Sequence, residues 1–186
     1  GTKAEDGSHY RESGEIKINA PDGDIYRSEG FRLPTEAEAE YLLRSAGRSN
    51  GLYHFGDSEA DLASHAWYAA NSDLKTHPVA ELKPLTIDGK YFYDLHGNVW
   101  EWTNDLFGQL QGGQNPQGLK LGSSRVVRGG GWSDGAQYLR SARRSSDGPR
   151  VRYGALGFRL VRTGNSLHSY TVTLDSGALT KGKVHR

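Results

Sequence analysis

The chain has 186 residues, with 25 glycines, 35% hydrophobic and 24% charged residues, which predicts one turn-rich globular domain rather than a coiled coil or a disordered tail. Its formal net charge of +1 gives no global field that would attract nucleic acid or an anionic membrane, so partners must be recognised by local surfaces. The absence of cysteine excludes disulfides, thiolate catalysis, zinc fingers and iron–sulfur clusters.

The first predicted elements are two short strands, at residues 15–19 and 25–27. They lie on either side of Pro21-Asp22-Gly23, a sequence typical of a turn. The rest of residues 1–30 is polar and rich in turn-forming residues.

The clearest predicted element is a helix between Phe31 and Gly47. Thr35 followed by Glu38 three residues later is the pattern of a capping box, and Gly47 is expected to end the helix. Apolar residues at helical spacing predict one face that packs on a sheet: Ala37, Tyr41, Leu42 and Ala46.

Residues 48–89 are predicted to be mostly loop, and the later elements are predicted to be strands. Aromatic or alternating apolar residues are the basis for these strands. They are predicted at residues 91–95, 98–102, 125–128, 157–162 and 169–174.

Four segments occur in a fixed order along the chain: Phe31-Arg-Leu-Pro-Thr-Glu-Ala-Glu-Ala-Glu-Tyr, Tyr93-Asp-Leu-His-Gly-Asn-Val-Trp-Glu-Trp, Arg125-Val-Val-Arg-Gly-Gly-Gly-Trp and Leu156-Gly-Phe-Arg-Leu-Val. Together they resemble the sulfatase-modifying-factor family, which includes formylglycine-generating enzyme. The resemblance begins near residue 30 and implies an α+β fold of the C-type lectin kind, loop-rich, with short antiparallel strands and few helices. We expect one domain in residues 1–162, followed by a tail at 163–186 to which the sequence assigns no role.

The large and the cationic side chains of these motifs are predicted to have structural roles. Buried anchors for loops are expected at Trp100, Trp102 and Trp132. The nine arginines from Arg125 to Arg162 could form a nucleic-acid patch or a framework that fixes loops through carbonyls and carboxylates, and we favour the framework. Its expected members are Arg140, Arg144, Arg152 and Arg159, with Glu36, Glu38 and Glu101 as candidate carboxylates.

The resemblance also bears on catalysis and on metals. Formylglycine-generating enzymes bind copper through two cysteines just after the Arg-Gly-Gly motif, and here that place reads Trp132-Ser-Asp-Gly-Ala-Gln-Tyr-Leu. We therefore expect that the chain is not an enzyme and has no cofactor. The seven histidines show no metal-ligand spacing, whereas Asn98 and Glu101 match positions near a calcium site of the family and allow a structural calcium ion.

Residues 133–155, called here the recognition segment, resemble the variable region of proteins diversified by retroelements. The constant residues of that region are present as Ala136-Gln137, Arg140-Ser141-Ala142 and Gly157-Phe158-Arg159. The residues at the other candidate positions of the segment share a further property. Each of them can be encoded by a codon that differs from the asparagine codon AAC only by replacement of one or both adenines. These candidate ligand contacts are Ser133, Asp134, Gly135, Tyr138, Arg143, Ser145, Ser146, Asp147, Gly148, Val151, Tyr153, Gly154 and Ala155.

A physical argument independent of the resemblance supports a binding role. Tyrosine, serine, glycine and aspartate dominate the candidate positions, and that mixture is typical of recognition surfaces. We expect a non-catalytic display protein that is monomeric, does not insert into a membrane, does not bind nucleic acid and recognises an unidentified macromolecule, expected to be a protein. The display role suggests the cell surface or a secreted form. The alternatives are a lectin-like structural or carbohydrate-binding domain and, disfavoured by the absence of cysteine, an oxidase.

Overall fold

Short strands and few helices make up the regular structure in a computed structural model that describes residues 20–110, 112–163, 169–175 and 178–185. The α-helix is α1 (Glu36–Leu43), and 3-10 helices lie at Pro21–Gly23, Ile25–Arg27, Glu59–Ser64 and Ala136–Tyr138. The strands are β1 (Phe31–Arg32), β2 (Leu85–Ile87), β3 (Lys90–Phe92), β4 (Trp100–Leu106), β5 (Gly113–Gln114), β6 (Arg125–Arg128), β7 (Ser145–Asp147), β8 (Leu156–Gly157), β9 (Val161–Arg162), β10 (Ser169–Asp175) and β11 (Ala178–His185).

The central sheet has the strand order β7-β6-β4-β8. The β6 strand pairs antiparallel with both β4 and β7, whereas β8 pairs parallel with β4. Smaller sheets are formed by β1 with β9, by β2 with β3, and by β11, β10 and β5 in that order. The recognition segment therefore runs between β6 and β8 and contributes β7 to one edge of the central sheet.

The predicted strands agree with the structure where the chain stays in one sheet. Residues 125–128 form β6, and residues 169–174 lie within β10. The strand predicted at 157–162 is instead divided into β8 and β9, because β8 pairs with β4 while β9 pairs with β1 in another sheet.

The strand predicted at 25–27 is wrong, because these residues form a 3-10 helix with Ile25 and Tyr26 buried. The Asp24 carboxylate accepts a hydrogen bond from the Tyr26 backbone N–H at 3.0 Å, which favours the helical turn at this point. The Tyr26 hydroxyl donates to the Pro116 carbonyl at 2.7 Å and ties the turn to a distant loop. The strand predicted at 15–19 lies outside the described residues.

The α1 helix begins as predicted and ends earlier than predicted. Both bonds of the capping box are present, from Glu38 N–H to Thr35 Oγ1 at 3.1 Å and from Thr35 N–H to Glu38 Oε2 at 2.8 Å. The helix ends at Leu43 rather than at Gly47, since Ser45 and Ala46 have φ values of 54° and 57° in the left-handed region.

The buried face of α1 also differs from the predicted apolar face. Ala37 is buried as expected, but Tyr41, Leu42 and Ala46 are only half-buried. The buried side chains of α1 are instead Glu36, Ala37, Glu40 and Leu43. Apolar periodicity did not find this face because half of it is carboxylate, paired with Arg44 at the end of the helix and with Arg128 and Arg144 from later in the chain.

Two apolar clusters support the sheet and the loops. One surrounds Tyr53, Leu62 and Leu139, and therefore reaches into the recognition segment at Leu139. The other joins Leu43 of α1 to Leu85 and Leu95. In the described part of the chain, every helix is too short or too polar to span a bilayer.

Candidate ligand-binding surface

Buried ion pairs hold α1 against the recognition segment. Arg144 donates from Nε and Nη2 to the two oxygens of Glu36 at 2.5 and 2.8 Å, a bidentate pair, and also bonds the Gly108 carbonyl. The Arg128 guanidinium contacts Glu36 and Glu40 and donates to the Ser141 carbonyl at 2.7 Å. Burial lowers the pKa of Arg128 to about 10, an effect that Glu36 opposes.

A second ion pair fixes the loop before β4. Arg159 binds Glu101 through Nε and through Nη2, the latter at 2.7 Å, and Nη2 also donates to the carbonyls of Tyr93 and Asp94. Burial raises the pKa of Glu101, and Arg159 opposes that shift. The geometry thus agrees with the framework role expected for this arginine.

The framework predicted from the arginines is correct for Arg144 and Arg159 and wrong for Arg152. Arg152 is exposed, so it holds no buried loop. Arg140 is also exposed and makes a local bond from Nε to the Gln137 carbonyl at 2.9 Å. The third candidate carboxylate, Glu38, pairs with Arg32, which was not among the predicted members.

Trp100 and Trp132 form hydrogen bonds at the two ends of the recognition segment. Trp100 is buried, and its Nε1 donates to Asp134 Oδ2 at 2.7 Å, while its backbone N–H donates to the Ala155 carbonyl at 2.7 Å. Trp132 is half-buried and donates from Nε1 to the Gly154 carbonyl at 3.2 Å. Trp102 is half-buried as well, so full burial was correctly predicted for Trp100 alone.

The thirteen candidate contacts differ in exposure. The exposed ones are Ser133, Tyr138, Val151, Tyr153 and Gly154. The half-buried ones are Asp134, Gly135, Arg143, Ser145, Ser146, Asp147 and Gly148. Exposed fractions of 37% for Tyr138, 41% for Val151 and 43% for Tyr153 show that these three candidate side chains lie at the surface.

Two of the candidates, Asp134 and Ala155, belong to the framework beneath the segment. Ala155 is buried, with 7% of its surface exposed, because its backbone is bonded to Trp100 beneath the segment. The Asp134 carboxylate accepts from Trp100 Nε1 and from the Gly131 backbone N–H at 2.8 Å, so it closes a loop of the framework. The Ala155 side chain is thus buried, and the Asp134 carboxylate has a structural role.

The exposed tyrosines are held by neighbours within the segment. The Arg143 guanidinium lies 4.8 Å from the centre of the Tyr138 ring, a cation–π contact. The Tyr153 hydroxyl donates to Asp147 Oδ2 at 2.8 Å, and burial together with this carboxylate raises the pKa of Tyr153. These contacts restrict the rotamers of both tyrosine side chains.

A cluster of three histidines behind the segment had no signal in the sequence, because its members lie far apart along the chain. His54 stacks on His96 with ring centres 5.1 Å apart, and His65 meets His54 edge-on at 5.5 Å. His96 Nδ1 lies 2.6 Å from the Leu139 carbonyl, and its Nε2 accepts from the His54 backbone N–H at 3.1 Å. A carbonyl can only accept and an N–H can only donate, so His96 is held as one neutral tautomer.

Burial lowers the pKa of both stacked histidines. The pKa of His54 falls to about 4 and that of His96 to about 3, and each ring is further disfavoured as a cation by its histidine neighbours. His54 and His96 therefore contribute to packing as neutral rings at physiological pH.

The residues do not fit the two metals that the resemblance brought into question. For calcium, Asn98 Oδ1 accepts from the His77 backbone N–H and Glu101 is bound by Arg159, so these oxygens are already engaged. For copper, the segment after Gly131 offers the engaged Asp134 carboxylate and the apolar Leu139, with no thiolate. Within the described ranges, no three His, Cys, Asp or Glu side chains are grouped to hold a metal ion.

Known proteins resemble this chain in sequence and in structure. The solved structure of Treponema denticola variable protein 1 superposes with a TM-score of 0.68 at 36% identity, covering 79% of this chain and 55% of that one. Formylglycine-generating enzyme of Streptomyces coelicolor is 34% identical over 77% of this chain and 51% of its own length. Formylglycine-generating enzyme of Mus musculus is 33% identical over 70% of this chain and 38% of its own length.

These relatives contradict the expectation that the chain is not an enzyme. That expectation came from the missing cysteines, whereas several of the curated relatives that match are named formylglycine-generating enzyme. The chain spans about half the length, or less, of those relatives. Absence of one metal-binding pair in this stretch therefore does not decide the question.

The fold and the family expected from the four sequence motifs are confirmed. Residues 5–164 match the family described as the sulfatase-modifying factor enzyme 1-like domain, a longer match than the motifs alone indicated. The solved neighbour shares the loop-rich architecture at 36% identity. This chain belongs to the sulfatase-modifying factor enzyme 1-like domain family.

Proposed function

We propose that this chain is a ligand-binding display protein in which the recognition segment forms a sequence-variable surface. The observation that carries the proposal is the alternation, within one segment, of buried framework groups and exposed side chains. Setting aside Asp134 and Ala155 leaves eleven of the thirteen candidate positions, with Tyr138, Val151 and Tyr153 as the large exposed members.

The framework immobilises the middle of the segment as well as its ends. Leu139 is fully buried, and Ser141 donates from Oγ to the Leu43 carbonyl at 2.8 Å and from its backbone N–H to the Leu52 carbonyl at 2.7 Å. Arg128 binds the Ser141 carbonyl from the other side. Because these anchors are backbone and core contacts, side chains between them can differ without altering the fold.

A related protein of known structure and the residue types at the candidate positions support diversification of this surface. One solved relative is named a variable protein. The residues at the candidate positions are all reachable from an AAC codon by adenine replacement, and they include the tyrosine, serine and glycine that suit adaptable recognition. A protein ligand and a location at the cell surface or in a secreted form are parts of the same proposal.

A pair of display libraries tests the proposal. The first randomises Ser133, Tyr138, Val151 and Tyr153, and the second randomises four exposed positions elsewhere, Asp73, Leu74, Val79 and Tyr91. After selection against the same panel of proteins, we expect specific binders from the first library and none from the second. Equal yields would overturn the proposal, as would sister genes that differ at Trp100 and not in the recognition segment.

A second candidate function is enzymatic, and the names of the curated relatives favour it. The 186 residues contain no cysteine, so a copper centre of thiolates would need ligands from outside this sequence. Oxygen consumption by the purified protein with copper and a cysteine-containing peptide tests this candidate. Oxygen consumption that requires both the copper and the peptide would support this candidate, and its absence would count against it.

A further inference from the structure

An open cleft of about 440 Å³ beside the recognition segment has four arginines among its nine lining residues. Four of its lining residues are Arg44, Arg140, Arg143 and Arg144, and Phe107 provides an apolar wall. The Arg144 guanidinium lies 4.9 Å from the centre of the Phe107 ring. None of the residues that line the cleft is acidic.

The carboxylates behind the cleft do not neutralise it. Arg44, Arg128 and Arg144 share Glu36 and Glu40, so three cations face two anions and leave one positive charge. Arg140 and Arg143 add two more, which brings the excess to three on a protein whose whole net charge is +1. Such a local excess in a concave site attracts anions far more strongly than the rest of the surface does.

Arg140 and Arg143, two of the cleft arginines in the recognition segment, are not paired with a carboxylate in the described framework. Among the described residues, Arg143 Nε is buried without a hydrogen-bond partner, although the guanidinium lies over Tyr138. Arg140 is exposed and bonds the Gln137 carbonyl through Nε. Because Arg140 lines the cleft and is exposed, its terminal NH₂ groups can donate to an incoming oxyanion.

We propose that this arginine cleft binds the carboxylates of an acidic segment of the protein ligand, an inference that rests on the proposed display function. Arginine forks match carboxylates in bidentate geometry, and the Phe107 wall accommodates the aliphatic part of a glutamate side chain. An open cleft of this size holds a few side chains, unlike the long basic stripe that a nucleic-acid backbone follows.

Fluorescein-labelled hexaglutamate is a direct probe, with hexaglutamine as its uncharged counterpart. We expect saturable binding of hexaglutamate by fluorescence anisotropy, and no binding of hexaglutamine. The double variant Arg140→Gln, Arg143→Gln should weaken hexaglutamate binding by about tenfold or more, because it removes two charge-assisted contacts. The matched control Arg150→Gln, Arg152→Gln alters exposed arginines outside the cleft by the same total charge and should change affinity less than about twofold.

The single variant Arg140→Gln keeps the test valid if loss of Arg143 disturbs its packing on Tyr138, since Arg140 is exposed. The proposal that the cleft binds carboxylates would be overturned if the two double variants weakened hexaglutamate binding equally. It would also be overturned if hexaglutamate did not bind saturably, or if a single-stranded hexanucleotide bound more strongly than hexaglutamate. The display libraries vary neither Arg140 nor Arg143. Binders from those libraries together with a negative hexaglutamate result would therefore refute the cleft alone.

Discussion

At the scale of single residues, His54 and His96 make the unfolding free energy depend on pH, because their buried rings are neutral in the folded protein. Their folded pKa values of about 4 and about 3 lie below the ordinary value of 6.5, because burial disfavours the charged ring. As the pH falls below 6.5, the unfolded chain takes up these protons before the folded protein does. The stability they contribute is therefore complete above pH 6.5 and declines toward pH 4.

The variant His54→Phe should flatten this acid dependence, since phenylalanine retains a ring against His96 and leaves the backbone bond to His96 Nε2 in place. Urea denaturation between pH 7 and 4.5 measures the effect. The loss of unfolding free energy should be smaller in the variant by up to about 1.4 kcal/mol per pH unit, the value for one proton.

Comparison of the two curves is needed because Asp105 acts in the opposite direction. Burial raises its pKa to about 7, so the folded protein takes up that proton first as the pH falls, and folding gains. The His54→Phe variant shares this contribution with the unaltered protein. Parallel curves for the two proteins would therefore refute the assignment to His54.

The sequence predicted that arginines would form the framework, but it did not predict which groups each arginine contacts. Arginine fits carboxylates and carbonyls wherever loops lack strand pairing, and this predicted Arg144 and Arg159 correctly. The exposure of Arg152 carries no local signal, because it depends on which loop passes above it. The buried position of Ala155 likewise follows from its bond to Trp100, a contact across 55 residues that no local pattern records.

At the scale of elements, the start of α1 depends on side-chain bonds that the sequence displays directly. Thr35 is fully buried, and besides capping Glu38 its hydroxyl lies 3.0 Å from the Tyr26 hydroxyl. The variant Thr35→Ala should lower the unfolding free energy by about 1–2 kcal/mol, the usual loss for an N-cap. Thr86→Ala on the exposed side of β2 is the control and should stay within about 0.5 kcal/mol in the same urea titration.

Local sequence patterns predicted the capped start of α1 correctly, but they predicted the ends of the strands less accurately. The strand predicted at 98–102 begins only at Trp100, because Gly97 and Asn98 have φ values of 76° and 59° in a turn. A β-carbon on Gly97 would lie 2.2 Å from the Trp67 carbonyl oxygen, so this turn exists to let two distant chain segments approach. Alternation of aromatic residues does not contain that information.

At the scale of the whole molecule, the proposed function requires that stability and surface composition be separable. The triple variant Tyr138→Ser, Val151→Ser, Tyr153→Ser removes the large exposed side chains of the recognition segment. It should lower the unfolding free energy by less than about 1 kcal/mol in total, because surface substitutions change stability little. The single variant Asp134→Ala should lower it by about 1–3 kcal/mol, since it leaves Trp100 Nε1 without its acceptor.

The order of these two effects is the decisive quantity, and urea denaturation of both variants in one buffer measures it. One substitution at the framework should outweigh three at the surface, because Asp134 joins Trp100 to the Gly131 turn while the tyrosines contact only neighbours in the segment. A larger loss in the triple variant would mean that Tyr138 and Tyr153 support the core. In that case the positions could not vary freely, and diversification of this surface would be physically untenable.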